Sequence, residues 1–254
     1  MRPLLLLPFA FLCRSAPGAE NVLIVADEFP AMQTLAARLQ AGAGVASDLV
    51  RQEVIPAGIQ RRPAVIVYIH QGIGEPAETA FIDYARAGGK LILLHHSISS
   101  GKRPNRYWFP FLGIQLPQGD ISQGGYQYYE DIEMEFVNLA PQHYVTTRQV
   151  PYDRQVLYRS SDSGGPEKPY PGFELRDTEV YLNHVFASPK HVLLGVKARD
   201  PKTGKLYMQD RAGWYERAGK GWVFYFMAGH SAKDFDHPAY GQIVVNAFTW
   251  KPEE

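Results

Sequence analysis

Three short apolar runs, at residues 21–26, 64–69 and 91–94, are separated by two segments of helical periodicity. In the first gap Met32, Leu35, Ala36 and Leu39 fall at helical spacing, and Gly42 and Gly44 stop the pattern. In the second, Glu75-Pro76 opens a helix with Phe81, Ile82 and Ala85 on one face and Gly88-Gly89 as its stop. Strand, helix, strand, helix, strand implies parallel strands joined by right-handed crossovers. A fourth apolar run at 222–227 returns to the core, and Tyr240, Ile243, Val244, Ala247 and Phe248 give a closing helix. The chain of 254 residues, 45% hydrophobic, is long enough for one large domain of this α/β kind.

The middle of the chain has a different pattern. Residues 126–136 partly alternate and are rich in tyrosine, and 155–158, 179–185 and 192–197 are further strand candidates. Gly, Pro and Ser mark 160–172 as a loop. Asp200-Pro201-Lys202-Thr203-Gly204 forms a hairpin turn between 192–197 and 206–208. An antiparallel excursion over roughly residues 120–209 is therefore expected.

Ahead of the first strand, Arg2 precedes an apolar stretch at 3–12, and Ser15, Ala16, Gly18 and Ala19 follow. This is the pattern of a signal peptide over 1–19, cleaved after Ala19 to leave a domain over 20–254. The expected location is the periplasm or the exterior. The stretch is too short for a stable membrane anchor, so no membrane span is expected. The only cysteine, Cys13, lies in this leader, so the exported chain would have no disulfide and no thiol nucleophile. Lys+Arg and Asp+Glu both number 26, without a basic stripe, and nucleic acid is not an expected partner.

Two of the apolar strands run into histidine. Leu91-Ile92-Leu93-Leu94 leads to His95-His96-Ser97, and Trp222-Val223-Phe224-Tyr225-Phe226-Met227 leads to Ala228-Gly229-His230-Ser231. Open α/β sheets bind ligands at the carboxyl edge of their strands, so neighbouring strands would bring these histidines to one crevice. Side chains alternate along a strand, so one of His95 and His96 is expected to face the crevice while the other packs behind it. His96 is the inward choice. Gly229 lets the backbone approach a ligand.

A third segment, Asp177-Thr178-Glu179-Val180-Tyr181-Leu182-Asn183-His184, offers two carboxylates, a phenol and an imidazole. At strand spacing Asp177, Glu179 and Tyr181 share a face that would suit a sugar or a metal, or else form an ordinary solvated edge. Tyr107-Trp108-Phe109 offers either a stacking surface for a sugar ring or core packing. His237-Pro238 caps the last helix. The expected catalytic set is His96, Glu179 and His230, which are also the candidate ligands of a divalent metal. His95, Ser97, Trp108, Asp177, Tyr181 and His184 are the expected substrate contacts. No Gly-x-Ser-x-Gly elbow and no His-Glu-x-x-His occur, and Gly72-Ile73-Gly74 falls short of a dinucleotide fingerprint.

Taken together, these segments resemble the ThuA-like family, named for trehalose utilisation. The resemblance runs through Ala87-Gly88-Gly89-Lys90-Leu91-Ile92-Leu93-Leu94-His95-His96, Tyr107-Trp108, Asp177-Thr178-Glu179-Val180-Tyr181 and Gly219-Lys220-Gly221-Trp222-Val223-Phe224-Tyr225. It continues through Gly229-His230 and His237-Pro238 to Asn246-Ala247-Phe248-Thr249-Trp250. The family more often has Asp-Glu directly before x-Tyr, where this chain has Asp-Thr-Glu. The resemblance implies a flavodoxin-like, class I glutamine amidotransferase-like three-layer sandwich. In those amidotransferases a cysteine stands where this chain has His95-His96, and Ala232 replaces the glutamate that follows the histidine matched by His230. Ammonia transfer from glutamine is excluded because the nucleophile is missing.

The resemblance further implies the handling of sugars, including keto-sugars made by a partner oxidoreductase. The expected function is a secreted or periplasmic enzyme acting on an oxidised saccharide by acid–base chemistry, metal-assisted or not. The alternatives are a carbohydrate-binding module without catalysis and a metal-dependent hydrolase of another substrate. Protein exported by its native host is expected to begin near Glu20 by mass spectrometry; an intact Met1 in exported protein would overturn the leader assignment.

Overall fold

The computed structural model describes residues 20–252; the leader reading, with Cys13, lies outside the described residues. The chain runs β1 (Val22–Ala26), α1 (Pro30–Ala43), β2 (Ser47–Val50), β3 (Val65–Tyr68), α2 (Glu75–Ala87), β4 (Lys90–Leu94), α3 (Trp108–Leu112) and β5 (Ile114–Gln115). It continues with β6 (Gln127–Asn138), α4 (Tyr144–Thr147), β7 (Arg154–Tyr158), β8 (Lys168–Leu182), β9 (Val185–Phe186) and β10 (His191–Arg199). β11 (Leu206–Ala218), β12 (Gly221–Phe226), α5 (Ala232–Asp236) and α6 (Pro238–Thr249) complete it.

Ten strands form one mixed sheet in the order β2-β1-β3-β4-β12-β11-β10-β6-β8-β7. The five from β2 to β12 pair in parallel. The rest pair antiparallel. The side chains of β1, β3 and the apolar part of β4 are buried, as strands covered on both faces must be. Helix α1 leads from β1 outward to β2, whereas α2 leads from β3 inward to β4. Right-handed crossovers in opposite directions place them on opposite faces. α5 and α6 pack with α1, and α3 packs with α2.

Three expectations change. β2 has no clear sequence signal, because Ser47-Asp48-Leu49-Val50 is a half-buried edge with neither an apolar run nor alternation. Antiparallel pairing extends to Ala218 rather than 209, because β11 is a long strand. The loop at 160–172 is shorter than expected, since β8 already begins at Lys168. Its Pro169 and Pro171 pair only with β7, β6 joining from Gly172 onward, so their missing N–H groups cost no inter-strand bond on that open side.

The antiparallel half is irregular in a consistent way. The β6–β8 and β10–β11 registers both shift. Asp131, Asp177 and Arg211 take φ of 54°, 52° and 64°, in the left-handed region. Such bulges bend strands and add twist.

At the other side of the sheet, the turn before β12 docks on the end of α2. Lys220 N–H donates to Arg86 O and Trp222 N–H to Gly89 O, each at 3.0 Å. A Cβ on Gly221 would stand 2.2 Å from Gly89 O and 2.3 Å from Ala85 O. Gly221→Ala is therefore expected to destabilise the fold by about 2 kcal/mol in urea unfolding. Gly72→Ala, whose Cβ would meet nothing closer than 3.7 Å, should leave stability within about 0.5 kcal/mol.

Candidate functional site

β4 stops at Leu94, and the chain enters a single tight helical turn over His95–Ile98. His95 takes φ 45°, a left-handed conformation that a residue with a Cβ adopts only under constraint. The constraint is visible. Ser97 Oγ lies 2.8 Å from both Val67 O and Leu94 O and shares its one proton between them, Trp108 Nε1 donates to Ser97 O, and Tyr225 OH donates to His95 O. Because the strand has ended, the alternation that was to separate His95 from His96 no longer applies. Both imidazoles enter the same cluster, and both are buried.

His230 arrives from the loop after β12. Gly229 has φ 116°, and a Cβ there would lie 2.6 Å from Phe235. The Gly229 and His230 N–H groups both donate to buried Asp234, at 3.1 and 2.8 Å, and Tyr68 OH donates to His230 O. The same Asp234 oxygen accepts from Thr178 Oγ1 at 2.8 Å, tying this loop to β8. The next residue on β8 is Glu179.

Glu179 Oε2 lies 3.0 Å from His95 Nε2, 3.4 Å from His96 Nε2 and 3.6 Å from His230 Nδ1. Tyr181 OH donates to it at 2.5 Å. β8 stands five places from β4 in the sheet, roughly 24 Å if the sheet were flat at about 4.8 Å per strand. The bulged antiparallel half must therefore curl back over the carboxyl edge. The His96 and His230 ring centroids are 5.8 Å apart, so the two strand ends do share one crevice.

Burial alone would raise the Glu179 carboxyl, but the His230, His95 and His96 imidazoles crowded around it outweigh burial and hold the group far below the usual carboxylate range. Burial, with His95 beside it, depresses His96 to about 3. His230 is raised by the Glu179 carboxylate.

The donor set fits a divalent cation. His95 Nδ1 is 2.5 Å from Met227 O, so a neutral ring donates there and turns the Nε2 lone pair toward Glu179. Lone pair then faces carboxylate at 3.0 Å, an arrangement a cation between them would satisfy. His96 Nε2 is buried without a hydrogen-bond partner among the described residues. One atom from each of His95, His96, Glu179 and His230 falls within a span of 4.8 Å. Ligands about 2.0–2.2 Å from a tetrahedral metal would stand roughly 3.3–3.6 Å apart. The His96 and His230 contacts to Glu179, at 3.4 and 3.6 Å, match that spacing, and the His95 contact at 3.0 Å falls a little short of it.

Above the cluster opens a cavity of about 220 Å³, walled by His70, Gln71, Ser99, Tyr126, Tyr128 and Glu130. A larger depression, about 470 Å³, lies on the antiparallel strands. Among the described residues no group of metal-ligating side chains converges there, and Lys197 is paired with Glu135 at 3.5 Å.

The structure brings His95, His96, Glu179, Tyr181 and His230 together and leaves four expected contacts outside. Ser97 spends its hydroxyl closing the turn. Trp108 is fully buried against Phe81 and offers no stacking face. Asp177 is turned out by its own left-handed φ and stands exposed 3.7 Å from Lys233. His184 packs behind Tyr181 and Tyr126, with Nε2 3.3 Å from Ile98 O, and burial lowers it to about 4. His237 sits at the start of α6, stacked on Phe173. His70 was not anticipated, although it follows the 64–69 run as His95 follows its own strand.

The family model described as ThuA, trehalose utilisation, matches residues 27–251. A ThuA-like protein of Bacteroides uniformis superposes with a TM-score of 0.61 at 15% identity, over 95% of each chain. A cytoplasmic protein of Salmonella typhimurium gives 0.58 at 15% identity, over 91% of this chain and 98% of that one. The cold-adapted β-galactosidase of a Rahnella species gives 0.54 at 11% identity, over 92% of this chain and 32% of that one. At these identities the likeness is one of fold. No curated protein matches the sequence.

Asp234→Ala would strand three donors at the hinge of the site. It is expected to cost about 3 kcal/mol in urea unfolding. Stability within about 0.5 kcal/mol of the parent would remove Asp234 from this role.

Proposed function

The chain belongs to the ThuA family, described by trehalose utilisation, and on that premise we propose that it is a divalent-metal-assisted enzyme acting by acid–base chemistry on an oxidised (keto) saccharide. The observation that carries this reading is the convergence of His95, His96, Glu179 and His230, with His95 Nδ1 held by Met227 O. A core built for stability gains little from burying a carboxylate against three imidazoles. The carboxyl edge of a parallel sheet is also where α/β folds take their ligands.

The cation, when bound, would draw electron density from a sugar carbonyl and stabilise the negative charge that builds on its oxygen. The hydrogen on the carbon beside that carbonyl is then within reach of an ordinary side-chain base. The 220 Å³ cavity suits one sugar ring, and its serine, tyrosine and glutamine groups suit hydroxyls.

Making a ring ketone requires removal of hydride from a hydroxyl, so a sugar oxidoreductase is the natural supplier of the substrate. The leader pattern supports a periplasmic or secreted location. The strand order β2-β1-β3-β4-β12 supports the flavodoxin-like sandwich reading for the parallel half. Glutamine amidotransfer is not part of the proposal, since His95-His96 stands in place of the nucleophile.

Purified protein is expected to retain about one divalent transition-metal ion per chain by elemental analysis. Glu179→Gln keeps the shape and removes the charge. It should lower metal content and cut turnover of a 3-keto-glucoside on the order of 100-fold, with the circular dichroism unchanged. Sugar binding without turnover in the parent protein would return the molecule to a carbohydrate-binding module. A metal-loaded protein inert toward keto-sugars would point to a hydrolase of another class.

A further inference from the structure

Three of the four imidazoles around the cleft aim a nitrogen at one point. A cation there would occupy those lone pairs, and Glu179 would be spent in the same way. Proton transfer on a sugar needs a group outside that set.

His70 is such a group. It lies just past β3 and lines the cleft, its ring stacked on His96 at 4.0 Å between centroids and 10° between planes. Its side chain is 47% exposed. Glu28 Oε1 stands 3.5 Å from Nδ1, near enough for its charge to favour the ring proton on that side, and Nε2 has no protein partner among the described residues.

The backbone of this residue is held from both sides. Its N–H and that of Gln71 donate to the Asp27 carboxylate at 2.8–3.0 Å. Its carbonyl accepts from Lys102 Nζ at 2.9 Å, and the same ammonium reaches His96 O at 2.8 Å. Lys102 is fully buried, and burial pulls its ammonium down to about 7, a cost that these two carbonyl acceptors offset. It locks the His70 loop to the His96 turn.

We propose that His70, oriented by Glu28, is a further catalytic residue of this cleft, the one that carries the substrate proton. The inference rests on the function proposed above. Nε2 takes the hydrogen from the carbon beside the ketone as a proton. The C–H electron pair becomes a C=C bond, and the carbonyl π pair moves to oxygen as an enolate. The imidazolium faces Glu28 and returns its proton to substrate carbon or oxygen when the enolate collapses, so nothing else is consumed.

The probe is methyl 3-keto-glucoside in D2O, with NMR reading deuterium entry beside the ketone. His70→Gln should slow exchange and kcat on the order of 100-fold, with KM changed by less than about threefold and metal content unchanged. Glu28→Gln should slow both by about tenfold. Free imidazole should restore part of the exchange in His70→Ala at constant metal content, which a structural role would not permit. Exchange in His70→Gln within about threefold of the parent would overturn the inference while leaving the function reading intact. Loss of metal from His70→Gln would overturn it too, by making the residue part of the metal site. A parent protein that neither exchanges nor turns over the probe would bring down both.

Discussion

An isolated carboxylate moved into a protein interior costs several kcal/mol, and the whole carboxyl edge of this sheet is shaped by preventing that isolation. Glu179, at 5% exposure, draws partners from three separate stretches of chain: the turn after β4, the loop after β12, and Tyr181 on its own strand. One residue back, Thr178 meets a second buried carboxylate, Asp234, which also accepts the His230 N–H. Thr178, Asp234, His230 and Glu179 thus close a ring that couples β8 to the β12 loop. Neither acid is solvated, and each is compensated by groups whose positions the other helps to set.

The parallel half of the fold was legible because its code is simple. Runs such as 64–69 are uniformly apolar and are punctuated by glycine and proline, so strand, helix and direction follow from period and chirality alone. The carboxyl-edge argument then located His95, His96 and His230 without coordinates. What stayed hidden follows from broken periodicity. The paired histidines were separated by a strand rule that lapses at Leu94, and Asp177 was placed beside Glu179 by a face rule that its φ of 52° cancels. Nothing in an isolated row of residues announces a left-handed aspartate.

These exceptions have a common physical character. His95, Asp131, Asp177 and Arg211 all hold side chains in a backbone region that costs on the order of 1–3 kcal/mol each. His95 lies in the cluster, and Asp131, Asp177 and Arg211 lie in the strands of the antiparallel half that curls toward it. An unstrained sheet of this order would keep β8 far from β4, and the cluster would not exist. Local conformational cost is exchanged for a long-range juxtaposition, and the packed parallel core is what can sustain it.

The cluster also has a temporal meaning. His95 and Glu179 are separated by 84 positions in the chain, and His95 and His230 by 135. Contacts so distant in sequence form late, after local helices and hairpins have reduced the search. The β4 turn, the curled β8 and the β12 loop meet only when nearly the whole polypeptide has found its topology. No nascent fragment, half-domain or folding intermediate that lacks either half can present the four donors at once. The ability to gather them therefore belongs to the completed molecule alone.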